Sequence, residues 1–278
     1  MKRSREELWK IHYQSSENMS AIESDAAQLA IASPPFTNQL DGKTLDKQDY
    51  LRFIDRVFRE LLRVLKPGAV LVTVNTDLRD HARYNRGDKR FDGLLWQKHS
   101  DLRAVAEDLG FLCVDSKIWV KSLNRNLYRY TFAYIQIFRK QRSNGIPLWR
   151  QGILREFGPD VWLLERGTTR RDQQQVLFRD AIHPEIARRC IDQFTSAGDI
   201  VVSPFAGSGT VLAVATMLRR RSIGYETNKK LKYLINQSID TPEKFVAYAS
   251  LPNRDTSRNH KAHTNSAIHV SGVRLGTK

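Results

Sequence analysis

Two short motifs in this chain carry residue types that can do chemistry. The first, Ser33-Pro34-Pro35-Phe36, ends an apolar run. Two consecutive prolines fix two φ angles and remove two N–H donors, so the stretch is rigid and its carbonyls point outward. The amine of a nucleic-acid base is a donor that needs acceptors. The Ser33 hydroxyl and the Pro34 carbonyl can supply them while Phe36 stacks on the base. A structural Pro-Pro turn after a strand is the alternative interpretation.

The second motif is a glycine-rich loop, Ser203-Pro204-Phe205-Ala206-Gly207-Ser208-Gly209-Thr210. It lies between a short predicted strand at 200–202 and a helix-like apolar run at 211–218. Glycine lets the backbone approach a ligand, and a helix N-terminus offers unpaired N–H groups. Glu226 ends the next predicted strand, where an acid can bind ribose hydroxyls. No Lys follows Gly209, which argues against a P-loop. An ordinary strand–turn–helix is the alternative interpretation.

The elements that must position these motifs alternate between strand and helix, which predicts a three-layer α/β domain. Strands are predicted at 27–32, 69–76, 111–120, 130–138, 200–202 and 222–226, with the third and fourth antiparallel. Helices are predicted at 49–65, 98–109, 184–195, 211–218 and 229–239. Both motifs follow strands, and active sites in such sheets lie at the carboxyl ends of the strands. We therefore expect the motifs to meet although about 170 residues separate them.

The charge of the chain points to a polyanionic partner. Its formal net charge is +15 at pH 7, and such an excess favours nucleic-acid binding. Basic side chains cluster in segments 77–94 and 141–181. These segments are predicted to be insertions into the domain, and ordinary solvated loops are the alternative interpretation. The candidate nucleic-acid contacts are Arg79, Arg83, Arg86, Lys89, Arg90, Arg142, Arg150, Arg170 and Arg171. Contacts of this kind with phosphates position a protein without reading the base sequence.

Cysteine usage and hydropathy argue against a metal-binding protein and against a membrane-spanning protein. Cys113 and Cys190 are the two cysteines; both are predicted to be buried thiols, and neither has metal-site spacing. No apolar run approaches the ~20 residues that span a bilayer. The expected setting is cytoplasmic, without a membrane partner or a bound metal. Residues 1–250 are predicted to form a single catalytic domain, and the polar segment 251–278 a flexible tail.

In this order, the motifs resemble those of the DNA amino-methyltransferases, which act on cytosine N4 or adenine N6. The resemblance is to the permuted, beta-type order, in which the catalytic motif precedes the cofactor motif. The chain is most similar to the cytosine-N4 branch, which typically has Ser-Pro-Pro-aromatic where the adenine branch usually has Asp-Pro-Pro-aromatic. The similarity spans about residues 10–240 and includes the segments 16–19, 49–68, 119–121, 138–140 and 183–198.

The resemblance implies a Rossmann-like methyltransferase sheet and the cofactor S-adenosyl-L-methionine. It implies direct methyl transfer to a base flipped out of double-stranded DNA, catalysed largely by positioning. The implied catalytic residues are Ser33, Pro34, Pro35 and Phe36. The implied cofactor contacts are Ser16, His183, Glu226 and the eight residues from Ser203 to Thr210. The basic segments would recognise the target, and a homodimer or a companion restriction nuclease is a further partner that the resemblance allows.

Two positions depart from the family pattern. Ser203 and Ser15 stand where the family usually has Asp, and both expected acids lie near the cofactor in the family. Three alternatives stay open: methylation of adenine N6, methylation of RNA, and nucleic-acid binding without turnover, which these two departures support. RNA methyltransferases of this chemistry usually place the cofactor motif first, which counts against the second alternative.

Overall fold

A computed structural model describes residues 8–36, 45–80, 94–121, 131–141, 152–164 and 181–249. The strands are β1 (Trp9–His12), β2 (Ala27–Ala32), β3 (Leu65–Asn75), β4 (Leu78–Asp80), β5 (Leu94–Trp96), β6 (Phe111–Val120), β7 (Phe132–Lys140), β8 (Val161–Leu163), β9 (Ile200–Ser203) and β10 (Arg221–Tyr225). The α-helices are α1 (Lys47–Val64), α2 (Lys98–Asp108), α3 (Pro184–Phe194), α4 (Thr210–Met217), α5 (Lys232–Asp240) and α6 (Pro242–Ala249). A short 3-10 helix, Lys229–Leu231, precedes α5.

Eight strands form one sheet in the order β1-β10-β9-β2-β3-β7-β6-β8. Neighbours are parallel from β1 to β3, whereas β7 is antiparallel to both β3 and β6. One apolar cluster joins α1 and α2 to one face of the sheet, and a second joins α3 and α4 to the other. The predicted three-layer, Rossmann-like α/β fold is confirmed, as is the antiparallel pairing of β6 with β7.

Helix α1 shows why the sequence pattern predicted these elements well. Its N-terminus is capped by Asp46, whose side chain accepts a hydrogen bond from the Asp49 N–H at 2.8 Å. Such a cap satisfies one of the backbone donors left open at a helix start. Its buried side chains recur at helical spacing: Tyr50, Phe53, Ile54, Val57, Phe58, Leu61 and Val64. The helix ends at Val64 and β3 begins at once, four residues earlier than predicted, so Lys66-Pro67-Gly68 lies inside the strand.

Strands β1, β4, β5 and β8 and helix α6 were not predicted. Strand β1 contains Lys10 and is only partly buried, so it lacks the apolar pattern of a core strand. It is ordered by parallel pairing with β10, where Trp9 lies opposite Ser222 and His12 opposite Tyr225. Helix α6 was also missed. At the two ends of the basic segment 77–94, strands β4 and β5 pair as an antiparallel ribbon that is separate from the main sheet.

The prediction of a buried thiol is confirmed for Cys190 and is wrong for Cys113. Cys190 is fully buried on α3 and Cys113 is partly exposed on β6. Within the described residues, no group of three or more His, Cys, Asp or Glu side chains could hold a metal ion. None of the helices in the described ranges is long and apolar enough to cross a membrane.

A thiol titration should separate the two cysteines. Burial raises the pKa of Cys190 to about 12 and also raises that of Cys113, so both thiols are protonated at pH 8 and react slowly. We expect a disulfide reagent at pH 8 to modify Cys113 slowly and Cys190 only after denaturation. A Cys113→Ser variant is the control: fast labelling of that folded variant would contradict the burial of Cys190.

Candidate active site

The two chemical motifs leave the sheet from neighbouring strands. β2 and β9 are parallel and paired, with Leu29 opposite Val201 and Ala30 opposite Val202. Ser33 follows the last residue of β2, and Pro204 follows the last residue of β9. Because parallel strands end at the same sheet edge, the fold brings the two motifs side by side, as expected from the sequence.

Both motifs open onto one cavity of about 670 Å³. The cavity is bounded by the 14–17 segment after β1, by part of α1 and by the residues after β10. The predicted site residues that line it are Ser16, Ser33, Pro35, Ser203, Pro204, Phe205, Ala206, Gly207, Ser208, Thr210 and Glu226. Most of the predicted cofactor contacts therefore lie together with two residues of the predicted catalytic motif.

The glycine-rich loop is a tight turn into α4. The Ala206 N–H donates to the Tyr225 carbonyl and the Gly209 N–H to the Ala206 carbonyl, each at 2.8 Å. Gly209 has a φ of 84°, and a Cβ there would lie 2.2 Å from the Ser238 Oγ. Gly207 also has a positive φ, 54°, but a Cβ there would meet nothing within 4 Å. Gly209 is thus required for packing against α5, whereas Gly207 leaves open space beside the loop.

The Glu226 carboxylate holds the backbone of this loop at Gly207. Its Oε2 accepts a hydrogen bond from the Gly207 N–H and its Oε1 one from the Asn228 N–H, both at 2.8 Å. The carboxylate follows directly after β10 and lines the cavity. It is therefore held at a strand end beside the loop, as a ribose-binding acid would be.

Ser203 provides a test of whether a polar ligand suits this cavity. The residue is 1% exposed and lines the cavity, yet its hydroxyl has no hydrogen-bond partner among the described residues. Buried hydroxyls are normally paired, so an unpaired one is a place for a ligand's polar group. A carboxylate, buried hydroxyls and an open glycine backbone are together a donor and acceptor set that fits a nucleoside bearing an amino-acid tail.

The 14–17 segment adds to the cavity lining an acid that the sequence analysis missed. The Ser15 hydroxyl donates to the Glu17 carboxylate at 2.9 Å, and Arg56 on α1 forms an ion pair with the same carboxylate. Glu17 and Arg56 both line the cavity. The signal was present in the sequence, because Glu17 lies two residues after the position where the family usually has an acid.

Two side chains that the sequence did not single out bind the carbonyls of the predicted catalytic motif. The Tyr50 hydroxyl on α1 donates to the Pro35 carbonyl at 3.0 Å. The Lys98 Nζ on α2 donates to the Pro34 carbonyl at 3.3 Å and to the Pro35 carbonyl at 3.1 Å. No sequence pattern marked Lys98, since a lysine at a helix start is normally exposed.

Four predicted site residues lie outside the lining of the cavity: Pro34, Phe36, His183 and Gly209. Pro34 is buried, and the Phe36 ring lies with its centroid 5.5 Å from the Lys98 Nζ. His183 caps α3, its Nδ1 accepting from the Glu185 N–H at 3.2 Å, and its ring lies edge-on to Trp119. The cofactor role of His183 stays a prediction.

The predicted nucleic-acid contacts fall mainly outside the described residues. Arg79 lies in β4; the other eight, which lie outside, are Arg83, Arg86, Lys89, Arg90, Arg142, Arg150, Arg170 and Arg171. Strands β4 and β5, which flank segment 81–93 in the chain, pair with each other in an antiparallel ribbon. Trp96 in β5 packs edge-on against Tyr50 at a centroid distance of 5.5 Å. Because Tyr50 also binds the Pro35 carbonyl, the base of the ribbon lies near the predicted catalytic motif.

Comparison with protein families identifies the class. A sequence model described as DNA methylase matches residues 27–237 of this chain, which is more than half of its length. The protein therefore belongs to the DNA methylase family that contains the N6 and N4 methyltransferases.

Individual relatives agree with that class. The chain is 31% identical to the type II methyltransferase M.MjaI of Methanocaldococcus jannaschii, over 68% of this chain and 67% of that protein. It is 26% identical to M.MthZI of Methanothermobacter thermautotrophicus, over 83% of this chain and 76% of that protein. A structure of a putative DNA modification methylase from Thermus thermophilus, in complex with S-adenosyl-L-methionine, shares 26% identity and a TM-score of 0.64, covering 85% and 95% of the two chains.

Proposed function

We propose that this protein transfers a methyl group from S-adenosyl-L-methionine to the exocyclic N4 amine of cytosine in double-stranded DNA. The observation that carries the proposal is the meeting of Ser33-Pro34-Pro35-Phe36 with the glycine-rich loop at one sheet edge, on a shared cavity. One motif suits a base amine and the other suits a nucleoside cofactor. Methylation of adenine N6 is the alternative within the same chemistry.

The cofactor predicted from the sequence, S-adenosyl-L-methionine, is confirmed by membership of the family and by the complex of the Thermus thermophilus structure with it. When bound, it supplies an electrophilic methyl group. We assign Glu226 as the residue that binds the ribose hydroxyls of the cofactor. The glycine backbone at Gly207 lets the cofactor approach the loop closely, and the unpaired Ser203 hydroxyl binds one of its polar groups. Ser16 is buried in the cavity wall. Glu17 places an acid close to the position where the family usually has one.

The catalytic motif acts by orienting the base. We assign two acceptors to the N–H groups of the amine: the Ser33 hydroxyl, which lines the cavity, and the carbonyl of the adjacent Pro34, which lies outside its lining. Together they direct the lone pair of the amine toward the glycine-rich loop. Phe36 stacks on the base, and Pro35 keeps the turn rigid. Positioning of this kind can supply a large part of a rate enhancement. No cysteine nucleophile is involved, since neither Cys113 nor Cys190 lines the cavity.

The choice of cytosine N4 depends on Ser33. The chain has Ser at the first motif position, as is typical of the cytosine branch. Separately, the strand before the proposed catalytic motif, β2, precedes the strand before the proposed cofactor loop, β9, which fits the permuted order. A cytosine-N4-specific enzyme, PvuII DNA methyltransferase, has the same fold at a TM-score of 0.58 and 16% identity, which supports the fold alone.

DNA recognition is assigned to the two basic segments. The target base must leave the stack to reach a cavity at a sheet edge, and base flipping achieves this. The candidate contacts from Arg79 to Arg171 would hold the phosphates. A homodimer, a companion nuclease, a single domain over 1–250 and a cytoplasmic setting stay predictions.

A binding protein without turnover is the competing function, and Ser203 and Ser15 are its support. Glu17 counts against it, because this carboxylate lines the cavity beside Ser15. Titration with S-adenosyl-L-methionine by calorimetry separates the two functions. We expect binding, and an absence of binding at millimolar cofactor would contradict the proposed enzyme.

The role of the catalytic motif is tested by Ser33→Ala and Phe36→Ala. Loss of base stacking or of a hydrogen bond at the amine is expected to lower the single-turnover rate of methylation by about 10- to 100-fold. Cofactor affinity should remain unchanged. The measurement is transfer of labelled methyl into unmethylated genomic DNA.

Ser20→Ala is the matched control, since Ser20 is exposed and outside the cavity lining. It should behave as wild type. If Ser33→Ala and Phe36→Ala both transfer methyl groups at the wild-type rate, the assigned mechanism is wrong.

A further inference from the structure

A lysine is buried directly behind the catalytic motif. Lys98 is 1% exposed, and its ammonium group lies within hydrogen-bond distance of the carbonyls of both Pro34 and Pro35. Lysine is rarely buried completely unless it is paired. We propose that Lys98 is a positioning residue, which holds the two proline carbonyls in the orientation that receives the target amine. This inference rests on the proposed function of the motif.

The need for such a group follows from the chemistry of the motif. Two prolines have no N–H groups, so this stretch cannot be fixed by its own backbone donors. Its orientation must be set by donors that reach the carbonyls from outside. Tyr50 reaches only the Pro35 carbonyl, whereas Lys98 reaches both. A carbonyl oxygen has two lone pairs, so Pro34 can accept from Lys98 and from the target amine together.

Aromatic rings fix the lysine in turn. Its Nζ lies 4.9 Å from the ring centroid of Tyr50 and 5.5 Å from that of Phe36. At these distances a cation is attracted to the face of a ring. Lys98 therefore connects the predicted acceptor, Pro34, with the predicted stacking ring, Phe36. A change at Lys98 should disturb the geometry at the amine without touching the cofactor loop.

The titratable groups around Lys98 lie on α1, α2 and β7 and in the link between β3 and β4. Burial lowers the pKa of Lys98 to about 7, and the nearby Asp77 carboxylate, after β3, acts in the opposite direction. Asp77 is bound to the His99 Nδ1 on α2 at 2.6 Å, and the His99 ring stacks on Tyr134 of β7. Burial raises the pKa of the Tyr50 phenol on α1 well above its usual value, so Tyr50 stays neutral.

This environment predicts a pH dependence with a definite sign. As the amine lone pair forms the bond to the methyl carbon and the methyl's bond to sulfur breaks, the nitrogen becomes positively charged until one proton leaves to water. A charged Lys98 opposes that change, and a neutral Lys98 still donates to both carbonyls. The methylation rate should therefore rise as the pH increases through about 7.

The test is Lys98→Met, which keeps an unbranched side chain, one atom shorter, and removes its donors. We expect the single-turnover rate at pH 8 to fall about 10- to 100-fold, with unchanged affinity for S-adenosyl-L-methionine. The rise of the rate near pH 7 should disappear in this variant. Lys98→Gln, which keeps a neutral donor, should fold if Lys98→Met does not, and should retain part of the rate without the rise.

Lys117→Met is the matched control. Lys117 is 2% exposed, pairs with Asp115 and lies over the Phe157 ring, outside the cavity lining. Its replacement should lower stability but leave the methylation rate and its pH profile unchanged. This control separates the loss of stability on removing any buried lysine from the loss of methylation rate on removing Lys98.

The outcomes separate this inference from the function on which it rests. If the wild-type protein methylates no DNA, the proposed function fails. If the wild type is active and folded Lys98→Met and Lys98→Gln both match its rate and pH profile, Lys98 has no positioning role. A loss of rate together with an equal loss of cofactor affinity would also overturn the inference, since it would indicate general disruption of the site.

Discussion

Replacement of Glu226 by alanine is expected to weaken the binding of S-adenosyl-L-methionine by about 100-fold. The carboxylate fixes Gly207 and Asn228 through two hydrogen bonds of 2.8 Å, and it is the acid assigned to the ribose hydroxyls. Hydrogen bonds to a charged group contribute about 1.5–3 kcal/mol each. Losing the acid removes both the ligand contacts and the support of the loop.

Calorimetric titration measures this effect directly. Glu226→Gln, which keeps one oxygen acceptor, should show an intermediate affinity. Asp108→Asn changes an exposed acid outside the cavity lining and should bind like the wild type. Wild-type affinity in Glu226→Ala would show that the cofactor does not contact the end of β10, and the assignment of the loop would have to be abandoned.

Gly209→Ala is expected to lower the free energy of unfolding by about 3 kcal/mol. Two costs combine at this position. The backbone has a φ of 84°, which an L side chain adopts with strain, and the new Cβ would lie 2.2 Å from the Ser238 Oγ on α5. Total stabilities are about 5–15 kcal/mol, so the loss is a large part of the whole.

Two further variants separate the cost of backbone strain from the cost of the contact with Ser238. Gly198→Ala has the same backbone strain, with a φ of 88°, but its Cβ would meet nothing within 4 Å, so it should lose about 1–2 kcal/mol. Gly209→Ala combined with Ser238→Ala should recover part of the loss, since the closest contact is removed. Urea unfolding gives all three values. Equal losses at Gly209 and Gly198 would mean that the approach of the loop to α5 is not tight.

Much of the fold was predictable because its signals are local. Apolar runs bounded by Gly or Pro marked β2 and β9, and the spacing of buried residues marked α1. The motifs follow strands, and the rule that parallel strands share a carboxyl edge was enough to expect them to meet. Strand β1 escaped prediction because its order depends on β10, about 210 residues later in the chain.

The candidate site was predictable only where chemistry follows from consecutive residues. Ser33, Gly207 and Glu226 were identified from their motifs and line the cavity. Lys98 and Tyr50 were missed because they reach the motif through tertiary packing of α2 and α1. His183 was carried over from the resemblance, and the capping role that the structure gives it depends on the start of α3.

The most direct test of the proposed function is to identify the methylated base. Purified protein is incubated with S-adenosyl-L-methionine and unmethylated duplex DNA, which is then digested to nucleosides for mass spectrometry. The account predicts N4-methylcytosine in the wild-type reaction and a much smaller yield with Ser33→Ala. N6-methyladenine would retain the amino-methyltransferase chemistry but contradict the choice of base. The absence of any modified nucleoside, at a cofactor concentration that saturates the protein, would contradict the proposed function.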